Sequence, residues 1–116
     1  MVAQSIYDID FIELYKTHKK QAARPKSSPD RWDQKAEAIE VGQLDTPYTR
    51  AFIEAMALKP TDTLLDVGSG SGAIAVLAAP SVQRVYALDF SAGMLDKLQL
   101  NAQHYGAHNI KTLCKD

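Results

Sequence analysis

The chain has 116 residues, 46% of them hydrophobic and 23% charged, with a formal net charge of -1. That is the composition of one soluble globular domain with a small core, and it excludes a disordered tail. The longest apolar stretch, 72–79, is far short of the roughly 18 residues that cross a bilayer, so no membrane partner is expected.

Residues 1–8 carry neither a basic segment nor an apolar one, so no secretory signal is read and a cytoplasmic location is expected. Cys114 is the single cysteine, and His18, His104 and His108 are scattered, which leaves no disulfide framework and no metal-ligand spacing. The balanced charge makes nucleic acid an unexpected partner. One local exception is a basic run of Lys16, Lys19, Lys20, Arg24, Lys26 and Arg31, in which Asp30 is the sole acid. It reads as a solvated linker rather than a seat for RNA or an anionic substrate.

In chain order, Phe11, Ile12, Leu14 and Tyr15 predict a short amphipathic helix over 10–20. Residues 24–29 form a linker by composition, after which Ser28 or Asp30 caps a second helix with Trp32, Ala36 and Ile39 on one side. Thr46-Pro47 starts a third helix over 47–58, in which Tyr48, Phe52, Ala55 and Met56 recur at helical spacing and Tyr48 and Phe52 are read as core residues. Then the period changes. Residues 63–67 read as a buried strand, 71–79 as a short helix stopped by Pro80, and 84–88 as a second strand. Ser91 caps a helix whose stripe is Met94, Leu95, Leu98, Ala102 and Tyr105 and whose end is Gly106; 109–114 is a third strand, with Cys114 a small buried group. The predicted fold class is therefore α/β, a Rossmann-like parallel sheet, with right-handed crossovers and helices on both faces. It divides into an amino-terminal helical lid segment over 1–60 and a first βαβαβ unit over 61–116.

The chemistry lies in Asp66-Val67-Gly68-Ser69-Gly70-Ser71-Gly72, where glycines alternate between the end of a strand and the start of a helix. Without Cβ atoms the loop turns sharply and brings its backbone close to a small molecule, as a nucleotide-type ligand requires. Asp89, 23 residues after Asp66, stands at the end of the second strand, where a carboxylate can accept bonds from vicinal ribose hydroxyls. Phe90 and Met94 are placed to flank an adenine. Gly68, Gly70 and Ala73 also satisfy the degenerate dinucleotide fingerprint, so NAD-type binding stays open as the alternative; Asp66 and Gly72 are not required by that fingerprint.

The two segments resemble motifs of the class I S-adenosylmethionine-dependent methyltransferases. Residues 66–72 are similar to the D-x-G-x-G-x-G motif, and Asp89-Phe90-Ser91-Ala92-Gly93-Met94-Leu95 resembles the D-x-S-x-x-M-L motif of the branch that methylates small molecules and quinone precursors. The resemblance implies S-adenosylmethionine as cofactor and a small-molecule methyl acceptor. It implies that Gly68, Ser69, Gly70 and Gly72 border the methionine part, that Asp66 positions the loop, and that Asp89 holds the ribose. Phe90 and Met94 would then flank the adenine, and Asp116 would accept a bond from the adenine amino group. Upstream aromatics cover the ligand in this family, but Trp32 is read as a packing residue.

In the family, the acceptor pocket and any general base come from later strands, so no catalytic residue is named. The chain is expected to be the amino-terminal portion of a protein of about 200–250 residues. If it is instead the whole molecule, the bare outer edge of 63–67 predicts either self-association or poor solubility. A non-catalytic nucleotide-binding module is the second function class.

Overall fold

The computed structural model describes residues 28–115; the expected helix over 10–20, most of the basic run and Asp116 lie outside them. Helix α1, Pro29–Glu37, begins where the Ser28 hydroxyl accepts a bond from Arg31 N at 3.3 Å, so Ser28 rather than Asp30 is the cap. Helix α2, Pro47–Ala55, starts the same way, with Thr46 Oγ1 accepting from Thr49 N at 3.1 Å. It ends three residues before the predicted limit. Ala57 has a φ of +50°, and Lys59 N donates to Asp62 Oδ2 at 2.8 Å, so the chain reverses into a turn instead of continuing the helix.

The buried side of α2 is Thr49 and Ile53, while Tyr48 is 80% and Phe52 48% exposed. Tyr48 and Phe52 are therefore not core residues, contrary to expectation. Two residues next to one another on a helix point about 100° apart, and α2 rests on the following helix through the 49/53 line, which turns the 48/52 line outward.

Strands β1, Thr63–Val67, β2, Arg84–Asp89, and β3, Ile110–Cys114, form a parallel sheet in the order β1-β2-β3. Thr63 pairs with Arg84 and Val67 with Leu88; Val85 pairs with Ile110 and Asp89 with Cys114. The register brings the carboxyl ends of all three strands to one side. Helix α3, Ala73–Ala78, followed by a 3-10 turn at Ala79–Ser81, connects β1 to β2, and helix α4, Ala92–Tyr105, connects β2 to β3.

Strands in sequential order with crossovers of one hand place their connecting helices on the same face. Accordingly, Val76 and Leu77 of α3 and Leu95, Leu98 and Ala102 of α4 share one core with Leu64, Val85 and Ala87. The expected cover on both faces is thus not formed by α3 and α4, which lie together. Cys114 is exposed rather than buried, because among the described residues it ends an outer strand with only β2 beside it. His104 and His108 are exposed. Among the described residues, no helix is long and apolar enough to cross a membrane.

The segment between α1 and α2 is fixed by α4. Tyr105 OH donates to Gly42 O at 2.9 Å and accepts from Leu44 N at 3.2 Å. Asn101, fully buried, accepts from Gly42 N at 2.8 Å and donates to Ser71 O at 3.0 Å. A buried amide with partners on both sides ties the amino-terminal segment to the loop after β1.

Candidate functional site

The loop after β1 crosses directly over the end of β2. Gly68 N and Ser69 N both donate to Leu88 O, at 2.8 and 3.0 Å, and Ser69 Oγ adds a third bond to the same carbonyl at 3.3 Å. Gly68 and Gly70 have φ values of +72° and +57°, and a Cβ added at either would meet no atom within 4 Å. Their conformation needs glycine, and the space above them is open. Gly72 is different: its φ is +100°, and a Cβ there would lie 2.8 Å from both Leu98 Cγ and Val76 Cγ2. This glycine lets α3 and α4 close on each other beneath the loop.

Asp89 joins the loop to the next turn. Its Oδ2 accepts from Gly70 N at 2.8 Å and its Oδ1 from Ser91 N at 2.9 Å, so the carboxylate is held at both ends by main chain. Each oxygen still has a lone pair for a further donor. The residue is 8% exposed, and that remnant faces a cleft of about 220 Å³ lined by Trp32, Gly68, Gly70, Asp89, Phe90 and Met94. The lining combines glycine backbone and an acid with apolar side chains, the mixture that small-molecule sites use.

The structure therefore brings together five of the residues singled out in the sequence: Gly68, Gly70, Asp89, Phe90 and Met94. Ser69 is half-buried with its hydroxyl turned to Leu88 O. Gly72 lies below, in the helix packing, and Asp66 is not part of the cleft lining. Trp32, read as a packing residue, lines the cleft, with Lys35 Nζ 4.4 Å from its ring centre.

Asp66 stands at the root of the loop. Burial pushes its pKa up from 3.8 to about 6; a bond from Ala75 N opposes the shift and the nearby Asp89 charge adds to it. Its carboxyl is thus tied to the first turn of α3, the helix that the glycine loop leads into.

One residue of this region has no role in the sequence reading. Asp33 Oδ1 accepts from the Ser91 hydroxyl at 2.5 Å and from Gly93 N at 2.8 Å. The available signal is Gly93 itself: a glycine in the first turn of a helix, where alanine is a better helix former, marks a close neighbour.

Comparison with known proteins agrees with this geometry. Residues 64–116 match the family described as a methyltransferase domain. An uncharacterised protein of Haemophilus influenzae is 37% identical over 113 residues, which are 96% of this chain and 42% of that protein. The S-adenosylmethionine-dependent methyltransferase from Geobacter sulfurreducens, solved in complex with S-adenosyl-L-homocysteine, superposes with a TM-score of 0.57 at 25% identity, over 69% of this chain and 33% of that one. An RNA methyltransferase from Salinibacter ruber, solved with the same compound, gives a TM-score of 0.56 at 27% identity, over 62% and 48% of the two chains. The chain spans less than half the length of each of these relatives. The fold is that of the class I Rossmann-like methyltransferases.

Proposed function

We propose, on the premise that residues 64–116 are a methyltransferase domain of class I fold, that this chain is the cofactor-binding portion of an S-adenosylmethionine-dependent methyltransferase. The observation that carries the reading is Asp89, fixed by Gly70 N and Ser91 N at the floor of a cleft with Trp32, Phe90 and Met94. The residues fit such a ligand: open space over Gly68 and Gly70 for close approach, an acid with unused lone pairs for vicinal hydroxyls, and apolar walls for a base. Bound S-adenosylmethionine supplies a methyl group already activated on a sulfonium.

What remains for the protein is to hold that group in line with a nucleophile and keep water out. In this reading Gly68, Ser69, Gly70 and Gly72 shape the methionine side and Asp66 anchors the loop to α3. Asp89 takes the ribose hydroxyls, Phe90 and Met94 flank the adenine, and Asp116 accepts from its amino group. Residues 1–60 act as a lid segment over the 61–116 unit. The acceptor is a small molecule, supported by the likeness of residues 89–95 to the motif of that branch; the Salinibacter relative makes RNA the second reading. With the longer protein of which this chain is expected to be the amino-terminal portion, transfer of label from S-adenosylmethionine into small molecules of a cell extract, and not into its RNA, is the expected result; label in RNA alone reverses the choice.

Calorimetric titration with S-adenosylhomocysteine and with NAD tests the cofactor. Binding of the first and not the second is expected, with Asp89→Ala weakening it at least about tenfold, since charged hydrogen bonds contribute about 1.5–3 kcal/mol each. Binding of NAD alone sinks the proposal.

A second expectation follows from the outer edge of β1, which pairs only with β2 among the described residues. Unpaired strand edges recruit other chains. In a sample of these 116 residues, sedimentation is expected to give a mass that rises with concentration, and a constant monomer mass contradicts it.

A further inference from the structure

Two helices far apart in sequence meet at a single oxygen atom. Asp33 Oδ1, on α1, receives both the Ser91 hydroxyl and Gly93 N–H, the second being one of the donors that a helix leaves unmatched in its first turn. Ser91 Oγ is itself the cap of α4, accepting from Met94 N at 3.1 Å, so bonds run from Met94 N to Ser91 Oγ and on to Asp33. The Ser91 and Gly93 donors hold the Asp33 carboxyl below the usual carboxylate range, which keeps it an acceptor near neutrality. The fit is close. A Cβ on Gly93 would stand 2.9 Å from Asp33 Oδ1, 3.0 Å from its Cα and 3.2 Å from its Cβ. The neighbours of this joint are cleft residues: Trp32 precedes Asp33, Met94 follows Gly93, and Asp89 holds Ser91 N.

We infer that Asp33 is a positioning residue of the cofactor site: by joining α1 to the Ser91–Gly93 turn it seats Trp32 in the cleft wall beside Phe90 and Met94, and affinity for an adenosyl ligand depends on that joint. The inference rests on the methyltransferase reading above. It makes α1 a working part of the site rather than a neighbouring helix, and it accounts for a glycine at a helical position where nothing in the backbone demands one.

Trp32 is the sole tryptophan of the chain, so its emission reports directly on the joint. S-adenosylhomocysteine is titrated against the wild-type chain and three variants, with heat and tryptophan emission recorded together. In the wild type, emission is expected to change in step with the heat. Asp33→Ala is expected to shift the unliganded emission to longer wavelength and to weaken binding about tenfold, as loss of a charged acceptor does. Asp33→Asn keeps one carbonyl oxygen, and because both bonds end on one oxygen, it is expected to restore affinity to within about threefold of wild type. Gly93→Ala crowds α1 away and is expected to bind as weakly as Asp33→Ala, although alanine is the better helix residue by up to about 1 kcal/mol.

Wild-type affinity and emission in Asp33→Ala overturn the inference and leave the cofactor reading standing. A loss that Asp33→Asn fails to restore overturns it as well. Heat of binding without any change in Trp32 emission removes Trp32 from the site, and with it the inference. No binding by the wild-type chain overturns both readings.

Discussion

Gly72→Ala is expected to destabilise the protein by about 2–4 kcal/mol, while Gly68→Ala costs about 1 kcal/mol. Both positions have positive φ and both are strained by a side chain, so that term is shared. The difference is space. A Cβ at Gly68 meets nothing, whereas at Gly72 it stands 2.8 Å from Leu98 Cγ and from Val76 Cγ2, on two side chains that are at most 1% exposed. Neither can move aside without pushing α3 from α4, and overpacking of that kind costs about 1–3 kcal/mol on top of the strain. Against a typical total of about 5–15 kcal/mol, the loss is a large share of the whole. Urea denaturation of the two variants side by side measures it; equal midpoints would show that α3 and α4 are not in close contact under the loop.

Asp66→Asn is expected to change how stability depends on pH. The folded-state pKa of Asp66, about 6, lies above its unfolded value of 3.8. Between these values the folded chain holds a proton that the unfolded chain releases, so stability from this group is fully present below pH 3.8 and is lost as pH rises toward 6. Two pKa units correspond to about 2–3 kcal/mol. The amide introduced by Asp66→Asn cannot ionise and keeps an oxygen for Ala75 N. The difference in unfolding free energy between variant and wild type is therefore expected to grow in favour of the variant from about pH 4 to about pH 6.5 and then level off. A difference that does not vary with pH would place the Asp66 carboxyl in water. Taking the difference removes the opposite contribution of Asp33 and Asp45, whose pKa values are lowered and whose stabilisation is lost as pH falls through those lowered values.

Much of this is legible in the residue order. The caps at Ser28, Thr46 and Ser91 can be read because each is a local rule, a side-chain oxygen within reach of the N–H three residues on. The three parallel strands follow from a change of period, and Gly68, Gly70, Asp89, Phe90 and Met94 from a loop and an acid at set spacing. The failures share a cause. Which side of α2 is buried depends on how the helix rolls on α3, and a stripe of 48, 52 and 56 competes with one of 49, 53 and 56 in which only the partner's shape decides. Asp33 gives no local signal because its partners, Ser91 and Gly93, lie 58 and 60 residues away, where no periodicity reaches. The wall position of Trp32 is hidden for the same reason: its place in the cleft comes from the neighbour's bond and not from its own surroundings in the chain.

The two main-chain bonds to Asp89 bear on the thermodynamics of any encounter at the cleft. A free carboxylate side chain that must be frozen when a ligand arrives lowers affinity by the rotamer freedom it gives up, about 0.5–1.5 kcal/mol for a mobile side chain. With Gly70 N on one oxygen and Ser91 N on the other, that ordering is completed when the chain folds. The acid is therefore preorganised, and the entropy of fixing it falls on folding, leaving binding to proceed against a rigid acceptor.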